Sequence, residues 1–540
     1  MIRRTMVLGA AMGLLLTQVG PFDAKAADAP VGGIVMAQDA RCGSADLPET
    51  GIQGDVPKAD QESGRAEQGY NCGLALVGHT TLDAGGRDGS SNGNMAWAGH
   101  CAYVAGPGAL AGPPSPAPGD GVAVVDVADP TKPRHVATLR SPGSTAAMET
   151  IHAVVTKDRA ILVVGQYSNR PLTSPKPMDV YDVRDCAHPK LLTTYMWPTN
   201  IHNLTISGNG RYVFATQPLQ VADLSGLFDA DPATGVRYVG NLEDDAAGPP
   251  VAVGPTADLD DALPEQVRAQ TRSNYLSHEA WPSADGTRLY VGGQLPVFEQ
   301  FTIMDIGDWL AGKGAPKVIS QRQGRGHSVR TATIGGKAFV LHSEESVFGA
   351  AYGCAPESLN PAAGAAQPWL TDVSDPVHPH QVSQFGLAIN DPTNCPAQLD
   401  SGVQASVHYH DVDDPTRTTF VLASMWNAGL RLFDVRDPAR PVEVAYFNPA
   451  DVQAGSGVTL DHAWSHIRWI PETGQVWLST AAGGFWVLEL EPQVRQQLGL
   501  GTRAARSPKG RPGTRGLTLL TTAPAIDPTP YFCTLGVVRT

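Results

Sequence analysis

No CxxC pair occurs among the seven cysteines of this 540-residue chain, so a dithiol redox centre and a thiolate zinc site both lack their usual sequence basis. Charge is sparse: Asp, Glu, Lys and Arg make up 17% of the residues. What charge there is sums to a formal −14, which argues against nucleic acid or an anionic membrane as partner. Past the first 26 residues no apolar run is long enough to span a bilayer. The glycine-rich stretch at 85–94 precedes no helix and reads as a loop. No nucleophile elbow leading from strand to helix, phosphate loop or dinucleotide fingerprint is found.

Turn-formers are abundant instead, with Gly 58 and Pro 44. Such a composition suits many short strands joined by turns. A single phrase recurs, as "GVAVVDVADPTKPRHVATL" at 121–139, "MDVYDVRDCAHPKLLTTY" at 178–195 and "FTIMDIGD…APKVISQ" at 301–321. It returns as "PWLTDVSDPVHPHQVSQF" at 368–385 and "LRLFDVRDPARPVEVAYF" at 430–447. In each copy an apolar strand ends in Asp-Val or its equivalent, a turn follows, and a second strand begins. The aspartates Asp126, Asp182, Asp305, Asp372 and Asp434 are placed to fix those turns through side-chain to backbone bonds. Two further strand-like runs precede each phrase, joined by hairpin turns such as "SGNG", "SADG", "IGGK" and "PETG". Four strands repeated about seven times predict an all-β, seven-bladed β-propeller of four-stranded antiparallel blades.

The expected organisation is a signal peptide at 1–26, an N-terminal extension at 27–70, the propeller at 71–490 and a C-terminal segment at 491–540. Residues 244–277 form an insertion carrying a short helix. The basic stretch 491–516 reads as a solvated linker. The last blade lacks an outer strand; candidates are "LTLLTTA", "YFCTLG" or the N-terminal run near "GIVMAQ". In the signal segment, Arg3 and Arg4 precede an apolar run, and "AKA" at 24–26 offers a cleavage site. Secreted, periplasmic or cell-surface placement follows, with no integral membrane segment after cleavage. Disulfides are then the default, with Cys354–Cys395 and either Cys72 or Cys42 with Cys101 as candidate pairs. The odd count leaves at least one thiol free or intermolecular.

The histidines carry the chemistry. Six of the seven units place a His at or near the start of the first strand: His152, His202, His278, His327, His408 or His410, and His466. First strands are innermost in a propeller, so equivalent positions converge on one axis. Neutral imidazole is a strong ligand for copper, iron and zinc. These seven histidines form the candidate ligand pool, with Glu149 and Glu279 as adjoining carboxylates able to orient imidazoles or shuttle protons. Asp411 and Asp461 also adjoin histidines. His79, His100, His135, His188, His342, His378 and His380 lie off this phase and read as surface or structural residues. Trp281 and Trp464 lie near ring histidines and could line a pocket.

The Asp-Val-x-Asp-Pro phrase resembles the LVIVD repeat of bacterial exported β-propellers. The chain is also distantly similar to the selenium-binding protein and methanethiol oxidase family, whose propellers carry inner-strand histidines. That resemblance implies copper, and a small sulfur-containing substrate. Carotenoid oxygenases offer the analogy of four histidines from different blades holding an iron. The expected function is an exported metal-dependent oxidoreductase acting on a small molecule, with copper preferred and iron or zinc as alternatives. The competing expectations are a non-catalytic propeller binding a protein or glycan, and a hydrolase using a zinc-bound water.

Overall fold

Twenty-eight strands arranged in seven four-stranded antiparallel sheets form the ring, and two short strands add to its edges. The computed structural model describes residues 35–82, 92–106, 121–167, 175–228, 235–245, 277–283, 286–293, 300–323, 327–343, 368–449, 460–463 and 465–501. The signal segment, the helix expected within 244–277, Trp464, Cys354, Cys533 and the two C-terminal runs lie outside the described residues.

Blade 1 runs from Met95–Ala98 to Arg134–Leu139 and blade 2 from Ile151–Val155 to Lys190–Trp197. Blade 3 runs from Leu204–Ile206 to Arg237–Asn241, and blade 4 from Ser277–Pro282 to Lys317–Gln323. Blade 5 runs from Val329–Ile334 to His380–Gly386, and blade 6 from Tyr409–Val412 to Val442–Asn448. Blade 7 takes three strands from Arg468–Ile470 to Gly484–Leu490, and its fourth is Leu74–Thr80. The ring is therefore closed by an N-terminal strand, but not by the run expected. "GIVMAQ" instead supplies Val35–Met36, which pairs in parallel with the outer strand of blade 5. Tyr70–Cys72 does the same for blade 6, antiparallel. Thus blade 1 begins at Met95, and the strand just before it completes the other end of the ring.

The middle strands are buried on both faces because each blade is sandwiched between neighbours. Ile161, Leu162, Val163 and Val164 of blade 2 are fully inaccessible, as are Val122 to Val125 of blade 1. That is why they read as unbroken apolar runs rather than alternating ones. Outer strands face solvent and alternate less cleanly; Leu191 and Met196 are exposed. Seven apolar clusters lie between successive blades, including the blade 7 to blade 1 junction where Trp477 and Phe485 meet Val104 and Val125.

The repeated phrase has a consistent geometry. The Asp126, Asp182, Asp372 and Asp434 carboxylates each accept the amide two residues on, at 2.9 to 3.0 Å, as does Asp305 at 3.2 Å. Every blade has a register shift between its two outer strands, such as at Val124/Val125 and Leu432/Phe433. A bulge there increases the local twist. Gly78 lies in the bulge of blade 7, where a Cβ would stand 2.2 Å from the Pro130 carbonyl oxygen.

The expected pairing of Cys101 with Cys72 or Cys42 is not found. Cys42 bonds Cys72, and Cys101 bonds Cys186, joining blade 1 to the turn after the third strand of blade 2. Cys395 is also disulfide-bonded. The 491–516 stretch does not begin as a solvated linker: Pro492–Gln497 is helical, and Val494 is buried between blades 6 and 7.

The N-terminal extension is fastened to blade 6 by a buried charge cluster. The Arg431 guanidinium, wholly buried, bonds Glu49 and stands 3.1 Å from Glu443, whose other oxygen accepts from Gln53 at 2.7 Å. Two carboxylates share one cation. Burial, with the Glu49 charge, pushes the Glu443 carboxyl up to about 7 despite the opposing pull of Arg431. A folded-state value above the unfolded 4.5 means that the folded chain binds the extra proton between them. Stability should therefore be fullest below about pH 4.5 for this group and fall as pH rises through 7, by on the order of 2–3 kcal/mol. Glu443→Gln should flatten that slope in denaturation midpoints measured from pH 5 to 8; an unchanged slope would contradict the assignment.

Candidate metal centre

Each ring histidine sits where the chain enters an inner strand. The amides of His202, His327 and His408 donate to the carbonyls of Thr216, Ser343 and Ser424, the residues at the end of the second strand. Hydroxyls then tie blade to blade at this level: Thr216 Oγ1 donates to the His278 carbonyl at 2.8 Å, and Ser424 Oγ to that of Ser465 at 2.7 Å. The imidazole positions are thus fixed by backbone pairing before any side chain interacts.

The single ring expected of seven histidines resolves into two groups. His202, His278, His327 and His408, from blades 3 to 6, stand side by side with successive ring centroids 4.6, 3.6 and 4.8 Å apart. Glu149, at the entry to blade 2, takes the next place around the axis. Its carboxylate lies 4.0 Å from His202 Nε2, 3.5 Å from His278 Nε2 and 3.9 Å from His408 Nε2. Ligand atoms of Glu149, His278 and His327 all lie within 4.8 Å of one another. Donors bound at about 2.1 Å to one ion stand roughly 3.0–3.4 Å apart, so a small contraction would suffice. All five side chains are at most 2% exposed.

The donor set fits a transition ion. Burial, reinforced by the neighbouring imidazoles of His327, His202 and His408, holds His278 well below its usual value and so neutral. Neither nitrogen of His278 makes a hydrogen bond among the described residues. His327 Nδ1 donates to the His408 carbonyl at 2.8 Å, which leaves Nε2 to carry the lone pair. Such a fixed tautomer is what an orienting partner gives a metal-binding histidine.

Tyr409 was not foreseen. It lies between His408 and His410, yet its hydroxyl crosses the channel to donate to Glu149 Oε2 at 2.9 Å and accepts from Asn203 Nδ2, on blade 3, at 2.7 Å. On the other side, Met148, Tyr167 and Trp426 pack together as a lid. Tyr167 lies 4.9 Å from the His202 ring and Trp426 5.0 Å from that of His408. Ala146, Met148 and Trp426 all have positive φ, at 57°, 41° and 42°. Left-handed backbone at bulky residues is costly and persists where surrounding structure enforces it.

The second group is held by Arg330, also missed from the sequence. Its guanidinium bonds Glu279 Oε1 at 2.7 Å, Asp411 Oδ1 at 3.1 Å and His466 Nδ1 at 2.7 Å. It stacks 3.6 Å above the Trp281 ring. Glu279 further accepts from Ser328 Oγ and the Val329 amide at 3.0 and 2.7 Å. Burial alone would raise the Glu279 carboxyl, but the Arg330 charge and these bonds hold it well below the usual range. His152 accepts at Nδ1 from the Ile206 amide at 3.1 Å, and His410 Nδ1 lies 3.5 Å from Ser328 Oγ. Burial drives both imidazoles down to about 3, so both are neutral at pH 7. The Tyr409 ring, 4.2 Å from His466 and 4.5 Å from His408, separates the two groups.

Among the remaining histidines, His79 stacks on Trp486, His342 lies against Phe301 and Trp369, and His188 and His378 pair with aspartates in exposed turns. Asp461 caps a turn by accepting the His462, Ala482 and Gly483 amides.

No family model matches the chain, and no curated protein matches it. Solved propellers do. The Cps50 (Swd1) β-propeller domain of Myceliophteria thermophila is 12% identical, covering 77% of this chain and 99% of that one, with a TM-score of 0.43. The periplasmic gluconolactonase of Pseudomonas aeruginosa is 13% identical over 69% and 96% of the two chains, TM-score 0.39. A hypothetical selenium-binding protein of Sulfolobus tokodaii is 13% identical over 75% and 90%, TM-score 0.40. The propeller architecture of this chain rests on its own sheet topology.

Arg330→Met should leave Glu279 and Asp411 buried without their cation and cost about 3–5 kcal/mol. Arg330→Lys should recover little, because one ammonium cannot serve three partners in fork geometry. Both are read from denaturant midpoints at pH 7; a cost below about 1 kcal/mol for Arg330→Met would show the cluster to be dispensable.

Proposed function

We propose that this chain is an exported, metal-dependent β-propeller oxidoreductase acting on a small molecule. The observation that carries the reading is four buried imidazoles from four successive blades facing one carboxylate. His202, His278, His327 and His408 would hold the ion, with Glu149 as fifth donor or as its counter-charge. Copper is preferred, since an imidazole-rich donor set ranks it above its divalent neighbours, with iron and zinc as alternatives. Such a bound ion would supply one-electron chemistry, or Lewis acidity in the zinc case.

The chain's own residues have separable tasks in this reading. Glu149 would balance the ion's charge inside a site otherwise made of imidazole rings. The Tyr409 hydroxyl holds Glu149 Oε2 and is placed to pass a proton to it. Met148, Tyr167 and Trp426 keep water from that face of the ring. Glu279 is bound by Arg330 and would act by setting His466 rather than by reaching the ring. Export is supported by the segment 1–26 and by the Cys42–Cys72 and Cys101–Cys186 disulfides, which belong in an oxidising compartment. The Asp-Val phrases support assigning the repeats to the LVIVD type, and a sulfur-containing substrate follows from the methanethiol oxidase resemblance.

Protein purified without an affinity tag should carry one transition ion per chain by mass spectrometry. His278→Ala and His327→Ala should lose it. Tyr409→Phe should fold but bind it about ten- to a hundredfold more weakly, the usual cost of losing an outer-shell partner. Full occupancy in both alanine variants would remove the basis for the enzymatic reading.

A further inference from the structure

Arg330, Asp411 and His466 border a further open space. It is a cavity of about 210 Å³ to which blades 1, 2, 4, 5, 6 and 7 all contribute. Drug-sized sites occupy roughly 300–1,000 Å³, so the occupant must be compact. The cavity is reachable: Pro415 on its wall is exposed, and Trp97, His152, Trp281 and Asp411 are half-buried.

Its lining excludes charged occupants. Arg330 is the cation on the wall, and four N–H directions are taken by Glu279, the Val329 carbonyl, Asp411 and His466. An anion would therefore meet little unspent donor capacity. Asp411 has Oδ1 engaged by Arg330 and Oδ2 by the Ile467 amide at 2.8 Å. A cation would find those oxygens occupied and the Trp281 face already covered by a guanidinium. One donor stands apart. His152 accepts at Nδ1 from Ile206, so its proton sits on Nε2, and no acceptor among the described residues meets that atom.

We propose that this cavity binds a small uncharged molecule with a flat or apolar body and one hydrogen-bond acceptor. The body lies against Trp97, and the acceptor (an amide, ketone or sulfoxide oxygen) takes the His152 Nε2 proton. The site stands whether or not the four-histidine ring holds a metal, because none of the ring residues lines it.

An isosteric series tests this. Benzamide, benzoate and benzamidine have the same shape and differ in charge. Titration calorimetry on the full chain at pH 7.5 should give benzamide a dissociation constant of about a millimolar or tighter. Benzoate and benzamidine should bind at least about tenfold more weakly. His152→Phe should weaken benzamide by about tenfold, the worth of one hydrogen bond to a buried donor. Trp97→Ala provides a second arm that disturbs no hydrogen bond, and should also weaken it. His278→Ala should leave benzamide binding unchanged while removing any metal, so the two sites can fail separately. No benzamide binding, tighter binding of either charged isostere, or full affinity in Trp97→Ala would each overturn the proposal.

Discussion

Closure of the ring governs everything nearer the axis. Leu74–Thr80 pairs with Gly484–Leu490, which commits the chain's first long strand to its last blade. A seven-bladed sheet array without that strand would expose an unpaired edge and leave the first and last blades free to part. The imidazoles converge only because the blades cannot splay. Their spacing of a few ångströms is inherited from backbone pairing at each blade entry, where a carbonyl on the second strand receives the histidine amide. The site is a consequence of the fold's symmetry before it is a consequence of any one side chain.

Electrostatics then divides the channel. Around Glu149 stand four imidazole rings and the Tyr409 hydroxyl, with its carboxylate 3.5 Å from His278 Nε2. A carboxylate and imidazole nitrogens gathered within 4.8 Å of one another form a candidate donor set for a cation. Beyond Tyr409 the opposite holds. Arg330, Glu279 and Asp411 satisfy one another, and burial raises the cost of separating them. A saturated cluster of that kind is a wall, rigid and unreactive, against which an uncharged molecule can rest.

Much of this was legible in the sequence, for a physical reason. The Asp-Val phrase repeats because each blade needs the same aspartate-capped turn, and histidines recur before first strands because that position always meets the axis. Phase supplied the four histidines as part of a pool of seven, and Glu149 came from its place three residues before His152. What phase could not give was depth. His408 and His410 share a strand face but differ by two residues of rise, about 6–7 Å, which is enough to put them in different groups. Tyr409 and Arg330 escaped notice because each looks, in sequence, like a strand residue of ordinary type. Tyr409 matters through the reach of its ring across the channel to Asn203, and Arg330 through three partners on blades 4, 6 and 7. Disulfide pairing was hidden for a similar reason: Cys101 meets Cys186 across a blade boundary that spacing along the chain does not encode.

The Met148, Tyr167 and Trp426 cluster and Tyr409 are held by different means. Met148 and Trp426, with their left-handed backbone, are held in place by packing that leaves them almost no exposure. Tyr409 is equally buried, but it is fastened by two hydrogen bonds at one atom, and rotating it would release both together. A molecule in the cavity rests against Arg330, Asp411 and His466, and Tyr409 is not among the lining residues. The Tyr409 ring is further held between His408 and His466, at 4.5 and 4.2 Å, so neither barrier is loosely seated.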